Sequence, residues 1–196
     1  MPRTGGSWWR SWVNPDLPER LETERLVLRV PCIDDAPELN AAILASYQEL
    51  RVWMDWSVEP QTLEQTETFC RDGRKRWETG EEWPLLMVLK GPGTIVGSSG
   101  LVRPDWRVPR AEIGYWCHTA HTGNGYVTEV TEALTRYCFD VLGCERVELR
   151  MDSRNERSWA VPERLGFDLE ATLHRDTRAN DGSLRDTRIY VKLGTS

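Results

Sequence analysis

The spacing of apolar residues along the chain predicts both strands and helices, and the two kinds of segment alternate. Apolar and polar residues alternate at 25–30 and 145–152, which predicts half-buried strands. A continuous apolar run at 84–90 predicts a buried strand, and two further strands follow at 94–102 and 110–118. Because the connections between these last three strands are short, we expect an antiparallel meander.

Apolar residues three or four positions apart predict four helices, at 34–50, 62–77, 127–143 and 155–167. Gly143 is expected to end the third helix in a left-handed conformation. Asn155 is a natural cap for the fourth helix, whereas Pro162 removes a backbone hydrogen bond inside that helix and should bend its last turns.

The predicted elements follow one another as strand, two helices, three strands, helix, strand, helix and two strands. A hairpin turn at 179–186 precedes the closing strand at 187–193. The strand–helix–strand unit at 110–152 requires at least one parallel or crossed-over pairing. We therefore predict the α/β (α+β) class, with a single, mostly antiparallel central sheet of about seven strands and helices on both faces.

The length of 196 residues suits one domain. We divide the chain into a tryptophan-rich arm at 1–20 and a single domain at 21–196. The arm contains Trp8, Trp9 and Trp12, and we expect it to pack on the domain or on a second subunit. A homodimer is therefore one predicted state.

Charge and cysteine content argue against several classes of function. The net charge of −6 argues against nucleic-acid binding, which needs a basic surface, and no apolar run approaches the roughly 20 residues of a membrane span. Five cysteines lack C-x-x-C spacing, and the three histidines show no ligand spacing with them. We expect free thiols, a cytoplasmic location and no metal.

The stretch "HTGNGYVTEV", residues 121–130, places Gly123 and Gly125 between a predicted strand and a predicted helix. The first N–H groups of a helix have no internal partner and carry partial positive charge, so together they can bind a phosphate. A plain turn with a helix cap is the alternative. No Gly-Lys-Ser/Thr follows and the third glycine of a dinucleotide fingerprint is missing, so neither of those motifs is present.

Seven segments in a fixed order resemble the GNAT family of N-acetyltransferases, and within it the RimL/RimJ-like branch of ribosomal-protein N-terminal acetyltransferases. The resemblance covers residues 21–193. The matching segments are "ETERLVLR" (22–29), "WMDW" (53–56), "AEIGYWCH" (111–118), "TGNGYVTEV" (122–130), the run from "ALTRYCFD" to "RNERS" (133–158), "LGF" (165–167) and "DGSLRD" (181–186).

The resemblance implies a GNAT-like fold with acetyl-CoA as cosubstrate. It implies that strands 4 and 5, which hold "GYWCH" and "VELRMD", splay apart and take pantetheine between them. The glycine loop would then bind the diphosphate. The implied coenzyme-binding residues are Trp116, Cys117, His118, Thr122, Gly123, Asn124, Gly125, Tyr126, Val127, Thr128 and Asn155. Thr122 stands where the family has Arg or Gln, and Val127 stands where it has a small residue. Val127 also fits the apolar helix face, and Asn155 also fits a plain helix cap.

Acetyl transfer to an amine requires a base for the ammonium proton and a donor for the departing thiolate. Many members of the family use a tyrosine as that donor, but Pro162 occupies its position, and the resemblance favours Ser158 instead. A serine on the helix surface with no catalytic role is the alternative interpretation of Ser158. Glu112 is the leading general-base candidate, and a structural carboxylate paired with an arginine is the alternative interpretation. His118 and His121 are alternative bases because histidine titrates near neutrality. Cys117 as an acyl acceptor would need a paired base.

We therefore predict an N-acyltransferase that moves an acetyl group from acetyl-CoA directly to a primary amine. The amine belongs to a protein N-terminus, a lysine or a small molecule, and a larger acyl group such as succinyl is an open alternative. The acceptor pocket should come from the first helices, the "WMDW" segment and the final hairpin, with Asp55 attracting the amine and Trp53 and Trp56 either binding or packing. A non-catalytic acyl-CoA-binding module is the competing interpretation.

Overall fold

A computed structural model of the chain describes residues 17–194. The tryptophans of the N-terminal arm, Trp8, Trp9 and Trp12, lie outside the described residues. The last four residues of that arm, 17–20, lie against the body of the protein. Leu17 is buried in the core, and the main-chain oxygens of Leu17 and Pro18 accept hydrogen bonds from the indoles of Trp77 and Trp83.

Eight strands and five α-helices make up the described part of the chain. The strands are β1 Arg20–Glu22, β2 Leu26–Arg29, β3 Trp83–Leu89, β4 Ile95–Asp105, β5 Arg110–Cys117, β6 Arg146–Asp152, β7 Asp168–Arg178 and β8 Leu184–Leu193. The helices are α1 Ala36–Ala45, α2 Tyr47–Trp53, α3 Leu63–Thr79, α4 Tyr126–Asp140 and α5 Glu156–Arg164.

All eight strands form one sheet in the order β1-β2-β3-β4-β5-β6-β8-β7. Every neighbouring pair is antiparallel except β5 and β6, which run parallel, as the strand–helix–strand unit required. The predicted mixed class and single sheet are confirmed. The sheet has one strand more than the predicted seven, because β1 has only three residues and is too short to show a periodic pattern.

The predicted helix 34–50 is two helices, α1 and α2, which meet at Ser46. The Ser46 hydroxyl is buried and accepts a hydrogen bond from the main-chain N–H of Thr119, at 3.0 Å. This long-range contact interrupts a periodic pattern that reads as continuous in the sequence. Because α2 continues to Trp53, it ends at the segment 53–56 that contains the "WMDW" motif.

The helices cover both faces of the sheet. Along β3, Leu86 and Val88 pack with α1 and α3, whereas Leu85 and Met87 belong to the cluster that includes α4. Gly143 has the predicted left-handed backbone, with φ of 65°, and the N–H of Cys144 donates to Cys138 O to close the end of α4.

Candidate active site

A gap opens in the sheet where β5 and β6 separate. The two strands pair only from Arg110 to Glu112 on β5, opposite Arg146 to Glu148 on β6. Beyond Glu112, β5 continues to Cys117 without bonding β6, which pairs with β8 over its whole length. The predicted splay of these two strands is confirmed, and they are the fifth and sixth strands in the chain because β1 precedes them.

The glycine loop presents a row of free main-chain donors beside this gap. Gly123 and Gly125 both have left-handed backbones, with φ of 80° and 79°, and Gly125 immediately precedes α4. The first bonded amide of the helix is Glu129 N–H, which donates to Gly125 O at 3.0 Å. In the described part of the chain no N–H from Gly123 to Thr128 has a partner. Such a row of amides suits a diphosphate.

The loop is held in this shape by side chains. Asn124 Nδ2 donates to His121 O at 3.0 Å, and the Thr122 hydroxyl donates to Thr119 O at 2.9 Å. A Cβ on Gly123 would meet no atom within 4 Å, so the loop is open on that side. These bonds use the carbonyl groups of Thr119 and His121, so the N–H groups of the loop stay available to a ligand.

Arg25 makes long-range contacts with the loop and forms an ion pair with Glu129, and the sequence pattern does not predict either. Its guanidinium donates to Asn124 O at 2.9 Å and to Glu129 at 2.7 Å, and it lies over the Tyr126 ring at 4.7 Å. It lies beside a loop in which Thr122 replaces the family's Arg or Gln. The signal for it in the sequence is its place in the matching "ETERLVLR" segment, whose alternating pattern indicates only a strand.

Val127 and Thr128 occupy different surroundings at the start of α4. The Val127 side chain is half-buried and packs on the core, so its branched Cβ belongs to the helix–sheet contact. The Thr128 hydroxyl accepts a hydrogen bond from Arg164 of α5 at 3.0 Å. Arg25 and Arg164 therefore both reach the N-terminal turn of α4.

Not all of the predicted pantetheine contacts on β5 are available. The His118 N–H donates to Val96 O at 2.8 Å, and His118 O accepts from His121 N–H at 2.8 Å, so neither main-chain group faces the gap. Because successive residues of a strand direct their backbone groups to opposite sides, Cys117 presents its groups to the gap while Trp116 presents them to β4. The coenzyme contacts predicted for Trp116 and His118 stay predictions, and in this structure the main-chain groups of both residues are directed away from the gap.

Asn155 caps α5 as the sequence predicts. Its Oδ1 accepts a hydrogen bond from Ser158 N–H at 3.2 Å. In the described part of the chain its Nδ2 has no partner, so the amide retains donors while the cap is formed. The two interpretations of Asn155, cap and coenzyme contact, are compatible in this geometry.

Ser158 meets a residue that no motif in the sequence singles out. The Tyr115 hydroxyl donates to Ser158 O at 2.9 Å and accepts from the Ser158 hydroxyl at 3.3 Å. Burial raises the pKa of Tyr115 to about 12, so the phenol stays protonated near neutrality. Tyr115 thereby joins β5 to the first turn of α5 across the gap and fixes the position of Ser158.

Glu112 is buried on β5, and Arg103 Nη2 donates to its Oε1 at 2.6 Å. The arginine pairing of the alternative interpretation is therefore present. Burial nevertheless raises the pKa of Glu112 above its ordinary value, while Arg103 opposes part of that rise. Arg103 has a left-handed backbone, with φ of 49°, in a bulge of β4, which is a strained conformation for a non-glycine residue.

The alternative catalytic residues are less well placed. His118 Nδ1 accepts from Ala120 N–H at 3.0 Å, and burial together with nearby His121 lowers the pKa of His118. Neither histidine lines the cavity in front of Glu112. Burial raises the pKa of the Cys117 thiol to about 11, which keeps it protonated and weakly nucleophilic.

A cavity of about 600 Å³ adjoins the gap, and its lining does not include the glycine loop. Residues 112–116 of β5 and 150–152 of β6 both contribute to its lining, so the gap opens into it. Residues 98–103 of β4, residues 82–84 and Phe69 of α3 form a further part of the wall. The rest comes from α1, from residues 53–56 and from the β7–β8 hairpin, which are segments predicted for the acceptor pocket. Its members there include Leu39, Ile43, Trp53, Asp55, Trp56, Asp176, Thr177, Arg185 and Thr187.

The described residues contain no cluster of histidine, cysteine or acidic side chains that could hold a metal ion. Within the same residues, no helix is long and apolar enough to cross a membrane.

A profile of the acetyltransferase (GNAT) domain matches residues 25–168. This chain belongs to the GNAT acetyltransferase family. It is an acetyl-CoA-dependent N-acetyltransferase, so the predicted enzyme class and coenzyme are confirmed. The GNAT-like gap and the row of free amides fit the pantetheine and diphosphate of that coenzyme.

Relatives and solved structures agree with the family assignment. YdaF of Bacillus subtilis (strain 168), provisionally named a ribosomal N-acetyltransferase, is 32% identical over 173 residues, which are 87% of this chain and 92% of YdaF. RimJ of Mycobacterium smegmatis, solved with CoA-disulfide, is 26% identical with a TM-score of 0.81, covering 92% of this chain and 90% of RimJ. The microcin C7 self-immunity acetyltransferase MccE, solved with acetyl-CoA and AMP, shares the fold at 24% identity and a TM-score of 0.84, covering 90% of this chain and 97% of MccE.

Proposed function

We propose that this GNAT enzyme acetylates the α-amine of a protein N-terminus. The observation that carries the proposal is the continuity between the β5–β6 gap and the cavity, because it lets an amine in the cavity reach a thioester held in the gap. The names of relatives support a protein acceptor. One is YdaF, and another is the ribosomal-protein-serine acetyltransferase of Escherichia coli (strain K12), 27% identical over 109 residues.

The coenzyme half of the site consists of residues 122–128, the edge of β5 at Cys117, and the first turn of α5. In this proposal the amides of 123–128 bind the diphosphate and Arg164 adds positive charge. Arg25, whose charge is paired with Glu129, holds the loop in position. Cys117 main-chain groups and Asn155 Nδ2 bond the pantetheine amides, much as an added strand would. Acetyl-CoA supplies an acetyl group activated as a thioester.

Glu112 and Ser158 share the proton chemistry in this proposal. Glu112 accepts the proton that the ammonium group must lose, and its raised pKa makes it a stronger base than an exposed glutamate. As the new amide bond forms and the carbon–sulfur bond breaks, the nitrogen gives up its second proton and the departing sulfur takes up a proton to leave as the thiol. The Ser158 hydroxyl donates a hydrogen bond to that sulfur as negative charge develops on it. Cys117 stays a bystander because its thiol is protonated.

The acceptor panel that tests this function contains a peptide with a free α-amine, the same peptide with a blocked α-amine, a lysine side chain and a small-molecule amine. Release of CoA thiol and the acetylated product are measured together, with succinyl-CoA as a comparison donor. We expect thiol release with the free peptide and none with the blocked peptide. Transfer only to the small-molecule amine would contradict a protein acceptor, and thiol release with no amine would contradict N-acetylation.

The predicted homodimer, the cytoplasmic location and the division at residue 20 stay predictions. Sedimentation of the full chain measures the first of the three directly.

A further inference from the structure

The cavity is larger than a small first residue of a protein would fill. Its volume of about 600 Å³ lies in the range of about 300–1,000 Å³ that proteins use to hold whole small molecules. An acceptor therefore inserts more than its amine, and the lining indicates which group accompanies the amine.

An indole wall, formed by Trp53, Trp56 and Trp116, lines the cavity between α2 and β5. The Trp56 and Trp116 rings lie edge to face, with centroids 6.3 Å apart at an angle of 62°. Trp56 is nevertheless 40% exposed, and both rings line the cavity, so the pair leaves ring surface for a ligand. Aromatic rings favour edge-to-face and offset contacts at about 4.5–7 Å, and a third ring can extend this pair.

Asp55 places a negative charge beside the indole wall. In the described part of the chain it forms no hydrogen bond or salt bridge, whereas the four other carboxylates of the cavity each pair with an arginine, including Glu82 and Asp152. Glu112 pairs with Arg103, and Asp176 lies 3.6 Å from Arg150. In the chain Asp55 stands between Trp53 and Trp56, and all three line the cavity. Arg103 interacts with Asp55 through charge alone, so the carboxylate has no bonded partner and suits an incoming ammonium group, which the indoles also attract.

The β7–β8 hairpin holds the indole wall in place. Asn180 Nδ2 donates to Arg51 O at 2.8 Å and to Met54 O at 2.9 Å, and Arg185 Nη1 donates to Trp53 O at 3.2 Å. These three bonds fix the end of α2 from a hairpin more than a hundred residues away. A recognition surface that is supported from outside in this way is pre-organised for one shape of ligand.

We propose that the favoured acceptors begin with an aromatic residue, whose ring binds the indole wall while Asp55 attracts the ammonium group. The proposal rests on the proposed function, because it concerns the acceptor of the same transfer. Burying the ring removes apolar surface from water at both partners, and neither alanine nor serine supplies that surface.

The test uses three peptides that are identical except for a first residue of phenylalanine, alanine or serine. We expect kcat/KM for the phenylalanine peptide to exceed the other two by about tenfold or more. In Trp56→Ala that preference should shrink to about twofold, and Asn180→Ala should raise the KM of the phenylalanine peptide without changing the KM of acetyl-CoA. Val58→Ala is the matched control, because Val58 is similarly exposed on the same segment and does not line the cavity.

Equal kcat/KM for the three peptides, or a preference that survives in Trp56→Ala, would overturn this proposal and leave the proposed function standing. If no peptide is acetylated although acetyl-CoA binds, the proposed function fails and this proposal fails with it. The two failures are therefore distinguishable in one experiment.

Discussion

The coenzyme half and the acceptor half of the site are built in opposite ways. The coenzyme half uses consecutive main-chain groups at 123–128 and the first turn of α5. The acceptor half, formed by residues 53–56, Arg103, Glu112 and the β7–β8 hairpin, assembles side chains from distant segments. A consecutive loop needs only a local backbone shape, whereas the acceptor half needs the whole sheet to be in place before its residues meet.

This difference indicates which half of the site tolerates amino-acid substitutions. Main-chain amides bind a diphosphate whatever side chains they carry, so the loop can hold Thr122 and Val127 in place of the usual residues. The acceptor half depends on particular side chains and on the bonds between them. Substitutions in the two halves should therefore affect different kinetic constants.

The largest effect is expected in the acceptor half, for Glu112→Gln. The amide cannot accept a proton, so kcat should fall by on the order of a hundredfold to ten-thousandfold while the KM of acetyl-CoA stays constant. Glu170→Gln is the control, because Glu170 on β7 pairs with Arg146 and does not line the cavity. If kcat were the same in the Glu112→Gln variant and in the control variant, Glu112 would have only a structural role.

The next largest effect is expected at the hydrogen bonds between Tyr115 on β5 and Ser158 on α5. Ser158→Ala should lower kcat by about tenfold to a hundredfold, because a hydrogen bond to a charged group is lost. Tyr115→Phe removes the partner that positions Ser158 and should lower kcat by a smaller factor. In the double variant the losses should not add, since Tyr115 acts through Ser158. Fully additive losses, measured at saturating acetyl-CoA, would show that the two residues act independently.

A smaller effect is expected in the coenzyme half, for Gly123→Ala. An alanine resists a φ of 80° at a cost of about 1–2 kcal/mol, so the loop shifts and the KM of acetyl-CoA should rise about fivefold to tenfold with little change in the acceptor KM. Gly143→Ala serves as the control, because that glycine is also left-handed and open but lies at the far end of α4. A raised acetyl-CoA KM in both variants would point to general destabilisation.

The smallest effect is a shift in pH dependence for Arg103→Gln. Burial raises the pKa of Glu112 and Arg103 lowers it, so removing the guanidinium should raise the pKa further. Glu112 must be ionised to accept a proton, and activity is lost as the pH falls through its pKa. The acidic limb of the kcat profile should therefore move to higher pH in the variant. If the acidic limb of the kcat profile did not move, the titration of a group other than Glu112 would cause it.

Sequence patterns predict the coenzyme half more completely than the acceptor half. The glycine loop in front of α4, the cap at Asn155 and the parallel pair of strands all follow from local patterns. The role of Arg25 does not, because its partner Asn124 lies 99 residues away, and Tyr115 is separated from Ser158 by 43 residues. Arg103 reaches Glu112 only through a bulge with unusual backbone geometry, which no periodic pattern predicts.

Direct transfer within one complex is the central claim, and one experiment tests it most directly. The intact mass of the protein and the release of CoA thiol are followed after mixing with acetyl-CoA alone, and again after a peptide with a free α-amine is added. We expect an unmodified protein and no thiol before the peptide, followed by one thiol released for each acetylated peptide. Acetylation of Cys117, or thiol release before the peptide is added, would contradict this account.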